Sequence, residues 1–165
     1  MDAIVKKISF VYGIAGSVVI ALTYLYIWQQ EQYMNGWFSL ITLLLPLILA
    51  FGAQINSKFK LNGFMSLKQG VMAFAITILL IFITEALINY LIFVEIDPSA
   101  QETVAQAQEA RKTALEAQGK QIQDPAPVDY SLGGYALATA TKFLAYTVLG
   151  IIMAFVLKKK RATAA

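Results

Sequence analysis

Residues 71–96 read VMAFAITILLIFITEALINYLIFVEI. This run is almost wholly apolar and holds two charged residues, Glu85 and Glu95. About 20 such residues cross the roughly 30 Å hydrocarbon layer of a bilayer as a helix. The run shows no alternation of period two, and it is too long and uniform for a barrel strand. It therefore predicts a membrane-spanning helix, and the rest of the chain follows the same rule. Further spans are predicted over 8–28, 38–54 and 135–157, the last carrying one charge, Lys142. The composition agrees: 58% of the 165 residues are hydrophobic and 14% charged, where a soluble domain carries about 25% charge. Mean hydropathy is +0.63. The fold class expected is an all-α membrane protein of four transmembrane helices, forming one domain over 1–165.

The chain has neither Cys nor His. That excludes disulfides, thiolate chemistry, Cys- or His-based zinc and haem sites, and Ser-His or Cys-His nucleophile pairs. No phosphate-binding loop, dinucleotide fingerprint or metal-ligand cluster occurs, so neither cofactor nor metal is expected. Glu102, Glu109 and Glu116 recur every seven residues, as on a solvated helix stripe rather than in a calcium loop.

Lys and Arg counts in short flanks set orientation. Lys6, Lys7, Lys58, Lys60, Lys68, Lys158, Lys159, Lys160 and Arg161 fall on one side, with only Asp2 opposing them. The other side carries Arg111, Lys112 and Lys120 against eight acidic residues, among them Glu31, Glu95, Asp97 and Asp129. Four spans with both termini cytoplasmic satisfy this bias at every loop. Both Trp and six of the eight Tyr, including Tyr24, Trp28, Tyr33, Tyr90, Tyr130 and Tyr135, fall near the outer interface, where amphipathic rings prefer to lie. The expected location is a bacterial inner membrane. The first apolar run exceeds the 7–15 residues of a signal peptide core and ends in aromatic rather than small residues, so it reads as a retained helix. The basic side suits anionic lipid; no nucleic-acid reader accompanies it.

Between the spans, Asn35-Gly36 and Asn62-Gly63 read as turns. Pro46 should free the Thr42 carbonyl and kink the second helix. The link 55–70 reads either as a short interfacial amphipathic piece or as a plain topology-setting loop. Residues 97–134 form the one long aqueous excursion. Ser99 and Glu102 predict a capping box opening an external helix, Gly119 its end, and Asp124-Pro125-Ala126-Pro127 a break before the last span. A thin apolar stripe of Val104, Ala107, Ala114, Leu115 and Ile122 suits either a solvated spacer or a helix leaning on a membrane or partner.

Ionisable residues inside spans are costly in hydrocarbon and mark candidate function. At 1.5 Å per residue, Glu85 lies about 21 Å past Val71 and Lys142 about 22 Å before Leu157. The two stand at matched depth on consecutive antiparallel helices, so a Glu85–Lys142 ion pair is expected. Asn89, Thr139 and Tyr135 are placed to join it in a polar seam. The alternative is a pair that only fixes helix register, or a Lys142 that snorkels outward. Gly13, Ser17 and Ala21, and Gly150 with Ala154, form small-residue faces for close helix packing, within the chain or against a second subunit.

Residues Asn62-Gly63-Phe64-Met65-Ser66-Leu67-Lys68-Gln69-Gly70-Val71 supply a Gly-x-x-Ser-x-x-x-Gly pattern at the start of the third span. With the preceding hairpin, the Gln/Glu/Ala/Lys-rich segment before the last span and the basic tail, the layout resembles the bacterial four-span family known as domain of unknown function 4199. The resemblance implies no activity and no catalytic residue. It hints at an accessory role in envelope glycan or lipid handling. Three functions stay open. One is a non-enzymatic accessory or scaffold subunit, whose partners would be lipid and another membrane protein or a second copy. The others are a small transporter or channel using the Glu85–Lys142 seam, and a lipid-active enzyme using carboxylates, which the residues support least.

Overall fold

A computed structural model describes residues 3–119 and 128–159. Asp2, Lys120, Ile122, the Asp124–Pro127 break, Lys160 and Arg161 lie outside the described residues. Five α-helices run in order: α1 Ala3–Gln29, α2 Gly36–Lys60, α3 Leu67–Tyr90, α4 Ala100–Glu116 and α5 Leu132–Leu157, with a π-helical extension of α3 over Leu91–Ile96. No strand occurs among the described residues. Four helices are long and apolar enough to cross a membrane: α1, α2, α3 with its extension, and α5. Each runs beyond its apolar stretch, because the polar flanking residues continue to be helical. The second helix has 25 residues and absorbs 55–60, while α3 absorbs 67–70. The link expected over 55–70 is thus a six-residue turn, and no separate interfacial piece forms.

Local chemistry explains the helix ends. Ser66 and Gln69 form a full capping box at the start of α3, with the Gln69 N–H on Ser66 Oγ at 3.2 Å and the Ser66 N–H on Gln69 Oε1 at 2.8 Å, which satisfies two amides that lack helical partners. The Asn35 side chain caps α2, so Asn35-Gly36 opens a helix instead of forming a free turn. Asn62 and Gly63 both take positive φ, 54° and 81°, and the Gly63 N–H returns to the Lys58 carbonyl at 2.9 Å, closing α2 as a left-handed stop does.

Ser99 does not form the expected capping box. It already has helical angles and makes no side-chain cap, because the first turn starts one step earlier, with the Ala100 N–H on the Asp97 carbonyl. The Ser99 hydroxyl donates to Asp97 instead. The Gly119 stop does occur, at φ 77°.

The central helix is α3. It packs against α1, α2 and α5, and its Phe74, Ile78, Ile81 and Phe82 make the core with Ile20, Ala50 and Tyr146. Small residues allow this closeness. A side chain at Gly13 would strike Leu80, one at Gly16 would strike Ile81 and Leu49, and one at Gly150 would strike Phe74. Ala154 rests on Gly70. The face of α1 is therefore Gly13, Gly16 and Ile20, with Ser17 at its edge donating to the Leu80 carbonyl at 3.1 Å and Ala21 only half-buried. Large apolar side chains cover the perimeter, from Leu22 on α1 to Ile48 on α2 and Val156 on α5.

Antiparallel packing sorts the ends. Lys6, Lys7, Lys58, Lys60, Lys68, Lys158 and Lys159 share one end, which we term the basic end. There the Met65 and Lys159 backbones exchange two hydrogen bonds, 3.1 and 2.9 Å. Trp28, Tyr33, Tyr90, Tyr130 and Tyr135 share the other, the aromatic end. Pro46 sits within α2, and the Tyr146 hydroxyl donates to the Leu43 carbonyl one turn before it at 2.9 Å. A side chain from α5 thus serves the backbone beside the proline.

Candidate functional site

Glu85 lies on the face of α3 that carries Phe82 and Ile78, so its carboxylate starts inside the bundle. Burying it unpaired would be costly, and donors must reach it. Two do. The Lys142 ammonium contacts Oε1 and Oε2, both at 2.7 Å, and the Tyr24 hydroxyl donates to Oε1 at 2.6 Å. Lys142 reaches the carboxylate across the Phe82 ring, 4.9 Å from its centroid, which adds a cation–π contact. One carboxylate therefore ties α1, α3 and α5 together. The Glu85 side chain is 13% exposed and that of Lys142 32%, so the pair is open on the lysine side.

The expected seam is only partly assembled. Asn89 joins it, its amide donating to the Glu85 carbonyl at 2.8 Å and flanking the Tyr24 hydroxyl together with Thr42. Thr139 and Tyr135 do not. They line a lateral apolar groove of about 440 Å³ between α3 and α5, with Ala86, Leu87 and Tyr90. Helical spacing places Tyr135 and Lys142 on the same face, two turns apart, but reach decides the partner. The four-carbon stem of Lys142 rounds Phe82, whereas the Tyr135 ring stops edge-on against Tyr90, centroids 6.0 Å apart.

In the sequence alone, Tyr24 reads only as an interfacial ring. Its place in the triad follows from the α1 packing face, which continues from Gly13, Gly16 and Ile20 to Tyr24 at the same spacing.

A second feature lies beside the triad. A cavity of about 260 Å³ opens at the aromatic end between α1, α2 and α3. Tyr24, Thr42 and Asn89 form its floor, and Trp28, Tyr33, Phe38 and Phe93 its aromatic walls. Val104 and Gln108 of α4 close over it, which shows what part of the thin α4 stripe rests on. The π turn places Phe93 here. The Asp97 N–H bonds the Ile92 carbonyl five residues back, at 2.8 Å, and the wider turn lets Phe93 meet both Tyr33 and Tyr130, at 5.8 and 5.6 Å. Such turns recur at functional sites. Composition gives no sign of it, since one slipped hydrogen bond changes no residue type.

At the rim, Trp28 Nε1 donates to Asp97 Oδ2 at 3.0 Å. The Ser99 hydroxyl and then the Trp28 indole hold the Asp97 carboxyl below the usual carboxylate range. Partial burial, then the carboxylates of Asp97 and Glu31, push the Tyr33 hydroxyl up. None of the described residues lining the cavity is charged, and no cluster of three metal-ligating side chains occurs among the described residues.

The model of a family described as protein of unknown function, DUF4199, matches residues 7–159. The chain belongs to the DUF4199 family. The match takes in α1 from Lys7 onward, the other three long helices whole, the triad and the cavity. No curated protein and no solved structure matches this DUF4199 chain.

Proposed function

We propose that this DUF4199 protein is a non-enzymatic accessory or scaffold subunit of a complex in a bacterial inner membrane, with α4 on the outer side and both termini in the cytoplasm. The observation that carries the reading is the saturation of Glu85 by Tyr24 and Lys142 of its own chain. The charge inside the span is used to join three helices, a structural task. Orientation is supported by the gathering of seven lysines at one end, on the positive-inside rule. The apolar perimeter suits lipid and a second membrane subunit or another copy of the chain, and envelope glycan or lipid handling is the setting the family layout implied.

Affinity purification from native membranes in mild detergent tests this. A stoichiometric larger membrane partner is expected, and a clean monomer with substrate-dependent flux overturns it. The lack of native cysteine makes topology simple to check. A cysteine placed at Lys60 should resist a membrane-impermeant maleimide in intact cells, and one at Gln106 should react.

One observation favours a second reading, a small transporter or channel. The cavity floor, Tyr24, is a single hydrogen bond from Glu85. On that reading, flux in reconstituted vesicles depends on Glu85 and on pH, and Glu85→Gln abolishes it.

A further inference from the structure

We propose that the cavity at the aromatic end binds a small organic ammonium group. The site stands apart from the accessory role, since it needs no partner subunit. The polar floor supports the assignment first. The Tyr24 proton goes to Glu85, the Thr42 proton to the Ser39 carbonyl at 3.1 Å, and one of the two Asn89 amide protons to the Glu85 carbonyl. Three of the floor's four donor protons are thus spent inside the chain, oxygen lone pairs outnumber the one remaining N–H, and a guest that donates hydrogen bonds fits.

The walls point the same way. Trp28, Tyr33, Phe38 and Phe93 surround the space, and aromatic faces attract a cation that has left water, most strongly Trp. The surrounding charge agrees as well. No lining residue among those described is basic, Asp97 is held at the rim by Trp28, and Glu31 lies in the link beside Tyr33. A phosphate or carboxylate would meet acceptors at the floor and carboxylates at the rim. The volume, about 260 Å³, is below the range for drug-sized ligands and suits a headgroup or a small amine. The ammonium group has two sources, a free amine or the headgroup of an aminophospholipid.

The test uses the full chain in maltoside micelles with Trp37→Phe, which leaves Trp28 as the sole indole. Trp37 is 75% exposed and lines neither cavity, so the change is mild. Ethanolamine, a primary ammonium at neutral pH, should shift Trp28 fluorescence saturably, beyond matched sodium chloride, while its uncharged carbon isostere, propan-1-ol, should bind at least about fivefold more weakly. Phe93→Leu should weaken ethanolamine by about fivefold, the loss of one cation–π wall. If Phe93→Leu does not fold, Phe38→Leu serves the same purpose.

Nanodiscs distinguish the sources. A raised ethanolamine midpoint in phosphatidylethanolamine discs relative to discs of digalactosyldiacylglycerol, which is likewise without net charge but has no amine, assigns the site to the lipid headgroup, and an unchanged midpoint assigns it to a free amine. Equal binding of ethanolamine and its isostere overturns the proposal. So does an ethanolamine midpoint unmoved by removal of an aromatic wall, or a response no greater than that to sodium chloride.

Discussion

Two of the polar ties that join the helices differ in almost every respect. In the aromatic half, Glu85 is bound by Tyr24 and Lys142, joining α3 to α1 and α5. In the basic half, Gln54 donates through Nε2 to the Gly70 and Gly150 carbonyls at 3.1 and 2.9 Å, joining α2 to α3 and α5. The first tie is charged, partly exposed and set beside a cavity. The second is neutral, fully buried and set among glycines and alanines. Its Oε1 and the Ser57 hydroxyl one turn on find no partner among the described residues. A charged group in hydrocarbon demands full satisfaction, whereas a neutral amide can leave an oxygen unpaired and still close a tight contact. The charged tie thus holds by electrostatic necessity and the neutral one by close packing.

The largest expected effect breaks the charged tie. Glu85→Gln or Lys142→Met alone should each cost about 3 kcal/mol of stability in detergent, because a charge is left without its partner. The double variant should recover part of that loss. Additive, negligible changes on chemical unfolding would remove the pair from the list of structural determinants.

Gly150→Val comes next. It drives a branched side chain into Phe74 beside the neutral tie, and overpacking should cost about 2 kcal/mol. A melting temperature equal to that of the native chain would show that α5 can move away freely.

Gln54→Leu should cost only about 1 kcal/mol. It loses two hydrogen bonds but also removes the unpaired Oε1. A loss as large as that of Glu85→Gln would erase the distinction between the two ties.

The smallest effect lies at the rim. The Asp97 carboxyl has a depressed value in the folded chain. Its bonds to Ser99 and Trp28 therefore stabilise the fold above the unfolded value, near 3.8, and weaken as pH falls through the lower folded value. With Trp37→Phe in place, Trp28 emission should hold steady from neutral pH to about 4 and change below it. Asp97→Asn should abolish that acid transition.

The two ties also show what sequence reading reaches. Spans are readable because apolar runs of bilayer length have few other uses. Glu85 and Lys142 are readable because charge inside such a run is expensive, and matched depth on neighbouring helices names the partner. Gln54 escapes the same logic. An uncharged polar residue at the edge of an apolar run reads as the end of a span, yet α2 continues to Lys60 and buries it. Tyr24 escapes because aromatic rings near a helix end suit an interface equally well. The assignment of Thr139 and Tyr135 to the seam failed because face and depth do not specify how far a side chain extends.

The order of synthesis gives the bridge between Met65 and Lys159 a further meaning. Four of the long-range ties described above wait for α5: Lys142 for Glu85, Gly150 for Gln54, Tyr146 for Leu43 and Lys159 for Met65. A chain emerging from its N-terminus can assemble α1, α2 and α3 first, with Glu85 holding only the Tyr24 proton and Gln54 only the Gly70 carbonyl. Arrival of the last helix then fills all four positions together. Completion of the fold is in this sense a single late event, and a nascent chain stalled before residue 142 would carry an uncompensated carboxylate within the membrane.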